Sequence, residues 1–230
     1  MGETVVPVSE QQVLVVVALL RAGCLEVRRD GPAPRLPTVA VDPGEWPEQA
    51  DLRGDDDSAV MVGPARRIGG ERDRVLFVLT SRTPGGAPSD GDRWLPVADL
   101  DALDEPVEVV SVLREVLAEH TGAAPVPPGR PDWFGRGWHD EVDAWVHEQL
   151  ARIGREPAGP AQVLKSWSQS TVLRYPWRGA GGADTAYLKA TCGWFRHEPA
   201  ITQVLGRIVP EHVPTVLAVD AGRGWMLMGP

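Results

Sequence analysis

Thr185-Ala186-Tyr187-Leu188-Lys189-Ala190 reads as a short strand, and Glu198-Pro199, beginning nine residues after the lysine, reads as the mouth of a helix. Of 23 basic residues, only Lys165 and Lys189 are lysine; the rest are arginine. A chain that uses arginine almost everywhere keeps a lysine where a compact ammonium is required, because the two cations differ in shape and hydration. A strand lysine facing a helix glutamate is one reading of this stretch. The other is an ordinary lysine on a solvated strand face, followed by an acid favoured by the helix dipole.

The flanking sequence builds a layered unit. Residues 139–153 have helical spacing, with Val142, Trp145, Val146, Leu150 and Ile153 on one face and Gly154 as the stop. Strands are expected over 161–167, 170–177 and 186–191. A second helix starts near Pro199, which suits a first turn, and carries Ile201, Val204, Leu205 and Ile208. Two more strands follow, over 213–220 and 224–228. Helix, three strands, helix, two strands predicts an antiparallel sheet with a helix packed against it. Gly179 to Gly182 reads as a flexible connector, and Trp167, Trp177, Trp194 and Trp225 as core or interface residues.

The first half, to residue 121, opens on Val13-Leu14-Val15-Val16-Val17-Ala18-Leu19-Leu20, a β-branched run that reads as a buried strand. Residues 23–28 alternate and are expected to pair back as a hairpin. Loops follow through Leu36 and Trp46, with strand candidates over 58–62 and 75–80. A helix is expected over 107–120, with Val109, Val112, Leu113, Val116 and Leu117 on one face. Thr121 to Pro131 holds four prolines and two glycines and cannot continue that helix. The expected division is therefore 1–121, a semi-rigid linker over 122–131, and 132–230. The fold class expected is α+β.

Composition limits the function. With 43% hydrophobic and 24% charged residues, the chain belongs with globular proteins. A net charge of −9 argues against a nucleic-acid binder, which would show a basic face. Asp55-Asp56-Asp57 reads as a solvated loop rather than a metal site. Cys24 and Cys192 form no Cys-x-x-Cys pair and are expected to be small buried hydrophobes in a reducing compartment. The apolar run from Val13 is too short to span a bilayer, and no basic residue precedes Arg21. A cytoplasmic protein without membrane contact is expected.

Several segments together carry a resemblance. They are Trp167-Ser168-Gln169-Ser170 between two strands, Tyr187-Leu188-Lys189-Ala190, and Phe195-Arg196-His197-Glu198-Pro199. Beyond them stand Val209-Pro210-Glu211-His212-Val213-Pro214 and Arg223-Gly224-Trp225-Met226-Leu227-Met228. In that order, residues 131–230 resemble the N-terminal lobe of the aminoglycoside phosphotransferase family of small-molecule kinases. The resemblance implies that Lys189 reaches the α- and β-phosphates of ATP and that Glu198 holds Lys189 in place. It implies that Ser168, Gln169 and Ser170 cover the phosphates, although a plain hairpin turn reads equally well. It places Met228 and Gly229 at the adenine edge, whereas Met226 reads as core filler. The catalytic aspartate of a His-x-Asp loop, and the Asn and Asp that bind Mg2+, are not matched in 131–230. The chain is accordingly expected to be the ATP-binding portion of a longer enzyme acting on a small-molecule hydroxyl. It is expected to be inactive alone, with its C-terminal lobe absent and an apolar face exposed around Trp225 to Met228.

The first half resembles, more distantly, a Nudix domain. The resemblance rests on the apolar first strand, Leu36-Pro37, and Trp94-Leu95-Pro96-Val97-Ala98-Asp99-Leu100-Asp101-Ala102-Leu103. The family's Gly-x5-Glu-x7-Arg-Glu signature is echoed only by Arg114-Glu115-Val116 with Glu119. Pro106 and Leu100 occupy the places of its glutamate and glycine. A structural or regulatory role is expected for this half. Beside the kinase reading stand a non-catalytic nucleotide- or partner-binding regulatory protein and a Nudix-type hydrolase with an unusual metal site.

Overall fold

The computed structural model describes residues 13–41, 59–69, 74–82 and 93–230. Among them the first half forms a seven-stranded mixed sheet. Its strands are β1 (Val13–Arg21), β2 (Cys24–Glu26), β3 (Thr38–Val41), β4 (Val60–Met61), β5 (Arg66–Ile68), β6 (Arg74–Thr80) and β7 (Trp94–Pro96). The order is β4-β6-β1-β2-β7, with β3 beside β1 and β5 beside β6. β1 and β6 run parallel, from Leu14 opposite Arg74 to Leu20 opposite Thr80, and the other pairs are antiparallel.

The long apolar run of β1 follows from its place in the sheet. A central strand covered on both faces has no water-facing side, so its sequence does not alternate. Val16, Ala18 and Leu20 join a buried cluster with helix α1 (Val107–Thr121), through Val109, Val110, Leu113, Val116 and Leu117. Val15, Val17 and Leu19 point the other way, into a second cluster. The expected hairpin over 23–28 is present, with Arg21 opposite Cys24. Ala22 and Gly23 have φ of 47° and 78°, the left-handed pair that a two-residue type I′ turn requires.

The expected linker is anchored. α1 ends on Gly122 at φ 82°, and Arg130 then forms an ion pair with Glu119 of the last helical turn, both largely buried. Arg66 of β5 lies 3.5 Å from the same carboxylate. This charge cluster ties the end of the strap to α1, while residues 122–129 are themselves mostly exposed.

The second half contains α2 (Trp138–Arg152), β8 (Glu156–Pro157), β9 (Gln162–Ser166), β10 (Ser170–Gly179), β11 (Gly182–Thr191), α3 (Glu198–Ile208), β12 (Val216–Asp220) and β13 (Trp225–Met228). Its strands form an antiparallel sheet in the order β12-β13-β11-β10-β8, with β9 also beside β10. Gly179 to Gly182 is no flexible connector. Gly179 pairs with Gly182 and closes a two-residue hairpin, with Gly182 at φ 105°. Ile153, expected on the buried face of α2, is exposed, because the helix stops at Arg152 and Gly154 turns the chain at φ 69°.

Val142, Val146 and Leu150 of α2 are fully buried in the cluster that holds Val15, Val17 and Leu19 of the first sheet and Leu173, Tyr175, Leu188 and Leu227 of the second. One core therefore runs through both halves, and the architecture is α+β. Trp177 and Trp225 lie in this core. Trp167 and Trp194 do not: Trp167 sits in the connection from β9 to β10 and is 53% exposed, and Trp194, in a short 3-10 turn of helix over Gly193–Phe195, is 89% exposed. Cys24 and Cys192 are half-buried free thiols. Trp225, Met226 and Leu227 are buried, so the expected apolar surface there is absent. Exposed apolar area lies instead on α3, where Ile201, Val204, Leu205 and Ile208 are 39% to 68% exposed. No helix among the described residues is long and apolar enough to cross a membrane. Trp46 and Asp55-Asp56-Asp57 lie outside the described residues.

Candidate functional site

Strand alternation divides β11 between two environments. Ala186, Leu188 and Ala190 enter the core, which turns Tyr187 and Lys189 to the opposite face of the sheet. Lys189 stands across from Val172 of β10 and Met226 of β13, and Tyr187 across from Arg174 and Met228. The Lys189 Nζ makes an ion pair with Oε1 of Glu198, the first residue of α3. The two side chains are 28% and 34% exposed. Both thus remain open to a ligand while the pair fixes the ammonium. The strand-to-helix pairing read from the sequence is formed.

The connection between them is braced. The Thr191 hydroxyl is buried within hydrogen-bond distance of Phe195 O at 3.0 Å and Gly224 O at 3.2 Å. Gly224 has φ 72°, and a Cβ there would meet Thr191 Oγ1 at 2.9 Å. This close approach is why the β12–β13 turn carries glycine at that position.

Ser168, Gln169 and Ser170 form the turn from β9 to β10. Trp167 N donates to Ser170 O and Cys192 N to Gln169 O, both at 2.9 Å, which ties this turn to the end of β11. Ser170 is directly opposite Thr191, two residues from Lys189. The serine turn and the Lys189–Glu198 pair therefore lie at one end of the sheet. Met228 is half-buried, two positions along its strand from Met226. Gly229 is buried and donates its N–H to Thr215 O at 2.8 Å, so that N–H is already committed.

The sequence assigns Lys165, the second lysine, no partner. It pairs with Val172, which pairs with Lys189, so both lysines of the chain fall on one cross-strand row. Its ammonium stands 4.8 Å from the centroid of the Trp167 ring, a cation–π contact at the serine turn. A bulge beside Val172 sets this register, and nothing in the residue pattern announces it.

The acids of the first half are spent elsewhere. Glu119 is paired with Arg130 and Arg66, Arg114 with Asp101 at 2.5 Å, and Glu115 is exposed. Among the described residues, no group of three or more His, Cys, Asp or Glu is placed to hold a metal ion. The described residues do not fit a Mg2+ centre.

No protein-family model matches the chain, and no curated protein matches it.

Proposed function

We propose that residues 132–230 form the ATP-binding lobe of an aminoglycoside phosphotransferase-like small-molecule kinase, preceded by a Nudix-like first half. The observation that carries this reading is the Lys189–Glu198 ion pair, thrown from a strand to the first residue of a helix on an open sheet face. An ammonium held in this way is a point charge that serves several phosphate oxygens, and the carboxylate sets its position. The serine turn at the same sheet end supports a phosphate cover, and Tyr187 with Met228 supports an apolar seat for the base. The committed N–H of Gly229 leaves the base edge to other groups. The exposed apolar face of α3, which begins at Glu198, supports a lobe that closes against a further body. The mixed sheet with a parallel central pair supports the Nudix-like reading of the first half, without its acidic signature.

A regulatory protein that binds nucleotide without transferring phosphate is the second reading. It is favoured by the lack of an acid cluster among the described residues. Both readings share one test of binding. Mg-ATP is expected to raise the melting temperature of the whole chain, and Lys189→Ala to remove that rise. At a hundredfold excess over Kd the stabilisation is about 2.7 kcal/mol. Identical rises in wild type and variant would sink both readings. Phosphate transfer to a small-molecule hydroxyl by the same sample would exclude the regulator; because the kinase reading also expects these residues to be inactive alone, the two are separated by assaying a longer chain that carries a His-x-Asp loop.

A further inference from the structure

A cavity of about 200 Å³ lies where the first sheet meets the start of α2. Residues 60–62, Thr80 and Arg82 line it from the first sheet and its flank, His120 from the end of α1, and residues 133–137, His139 and Asp140 from the other side. It lies apart from the Lys189 face, on different elements. We propose that this cavity is a binding site for a small oxyanion, a compound bearing a phosphate or a carboxylate.

Four observations converge on it. The walls carry two guanidinium groups, Arg82 and Arg136. Arg82 is partly neutralised by Asp143 at 2.6 Å and Asp140 at 3.5 Å. Arg136 has only a 3.3 Å bond from Nη1 to Thr121 O, which leaves the rest of its donor fork uncommitted. The cavity also receives the N-terminus of α2, a 15-residue helix. Its N-cap, Gly137, has no side chain to accept from the first-turn N–H groups, so the positive end of the helix is uncapped.

Half-buried among these groups is His139, whose Nδ1 atom is itself inaccessible to water and has no protein partner. An unpaired buried polar atom costs about 1–3 kcal/mol, and a ligand that reaches it recovers part of that. The alternative is a packing defect, but cavities that stay empty are wholly apolar, and this one sets Arg82, Arg136, His120 and His139 beside its valines and aromatic rings, with the Asp140 side chain turned largely to solvent. A cation is disfavoured by Arg136, whose charge is not offset by an ion pair as that of Arg82 is. The volume holds more than one water, at about 30 Å³ each, yet falls below the roughly 300 Å³ of a drug-sized pocket, so the ligand is small. Burial and the nearby arginines lower the pKa values of His139 and His120, and an anion between them would oppose that effect.

The test follows melting of the full chain in inorganic phosphate and, separately, in acetate, against sodium chloride at matched ionic strength. One oxyanion is expected to give a saturable rise beyond chloride, and which one does so names the ligand class. Arg136→Gln, at an exposed position, should weaken the apparent affinity at least tenfold. Lys189→Ala should leave it unchanged, which separates this site from the sheet face. The imidazole resonances of His139 should move in wild type with the same midpoint, a readout that does not depend on a variant folding. No rise beyond chloride, equal affinity in Arg136→Gln, loss of the effect in Lys189→Ala, or an unmoved His139 would each overturn the proposal.

Discussion

His139 shows how burial turns one side chain into a pH dependence. Desolvation, then the nearby Arg82 charge, push its pKa down to about 3, against a smaller opposing pull from Asp143. In the unfolded chain the imidazole takes a proton near pH 6.5, whereas in the folded chain it does not. The unfolded state therefore binds more protons, and stability contributed by neutral His139 is complete above that pH and falls as the pH drops toward 3. The slope for one such group approaches about 1.4 kcal/mol per pH unit. Urea midpoints at pH 7, 6 and 5 should decline in wild type, and His139→Gln should flatten the decline. A parallel decline in both proteins would assign it to other groups. Beside His139, the Tyr175 hydroxyl donates to Asp143 at 2.6 Å, and burial pushes its pKa far up, so it stays a donor throughout this range.

The ion pair of Arg82, just after β6, with Asp143 of α2 joins the two halves at 2.6 Å. Arg82 and Asp143 are 21% and 22% exposed, and removing one strands the other in a poor solvent for charge. Arg82→Ala should cost about 2–3 kcal/mol, below the range for fully buried pairs because each partner keeps some water. Tyr175→Phe should cost about 1 kcal/mol, since the arginine still serves the carboxylate. Denaturant unfolding of both variants checks the ranking, and Tyr175→Phe proving the worse would refute it. Elements of this length were legible where they carried a period or a full apolar run, as α1, α2, β1 and β10 do. β3, β5 and β8 span four, three and two residues and leave no periodicity to read. In the site, Lys189 and Glu198 were legible because lysine is scarce here and Pro199 marks the helix start. Lys165 was hidden by the bulge that sets its register. The oxyanion cavity was hidden for a different reason. Its arginines and histidines come from segments that only the tertiary fold brings together.

One of the two buried clusters is shared by both halves of the molecule. Val15 of the first sheet, Val146 of α2 and Leu188 of the second sheet lie in a single buried cluster, so the halves recognised in the sequence are not independent bodies of packing. Near- and far-ultraviolet circular dichroism should report one coincident unfolding transition. Two separated transitions would show that the halves melt on their own. The Arg130–Glu119 pair extends the same logic to the proline strap, which is fastened at both of its ends. Covalent continuity across residues 122–129 is then almost redundant. A protease that nicks the backbone there should give two bands on a denaturing gel and a single, unshifted peak on a sizing column, the two pieces holding each other as the intact chain does.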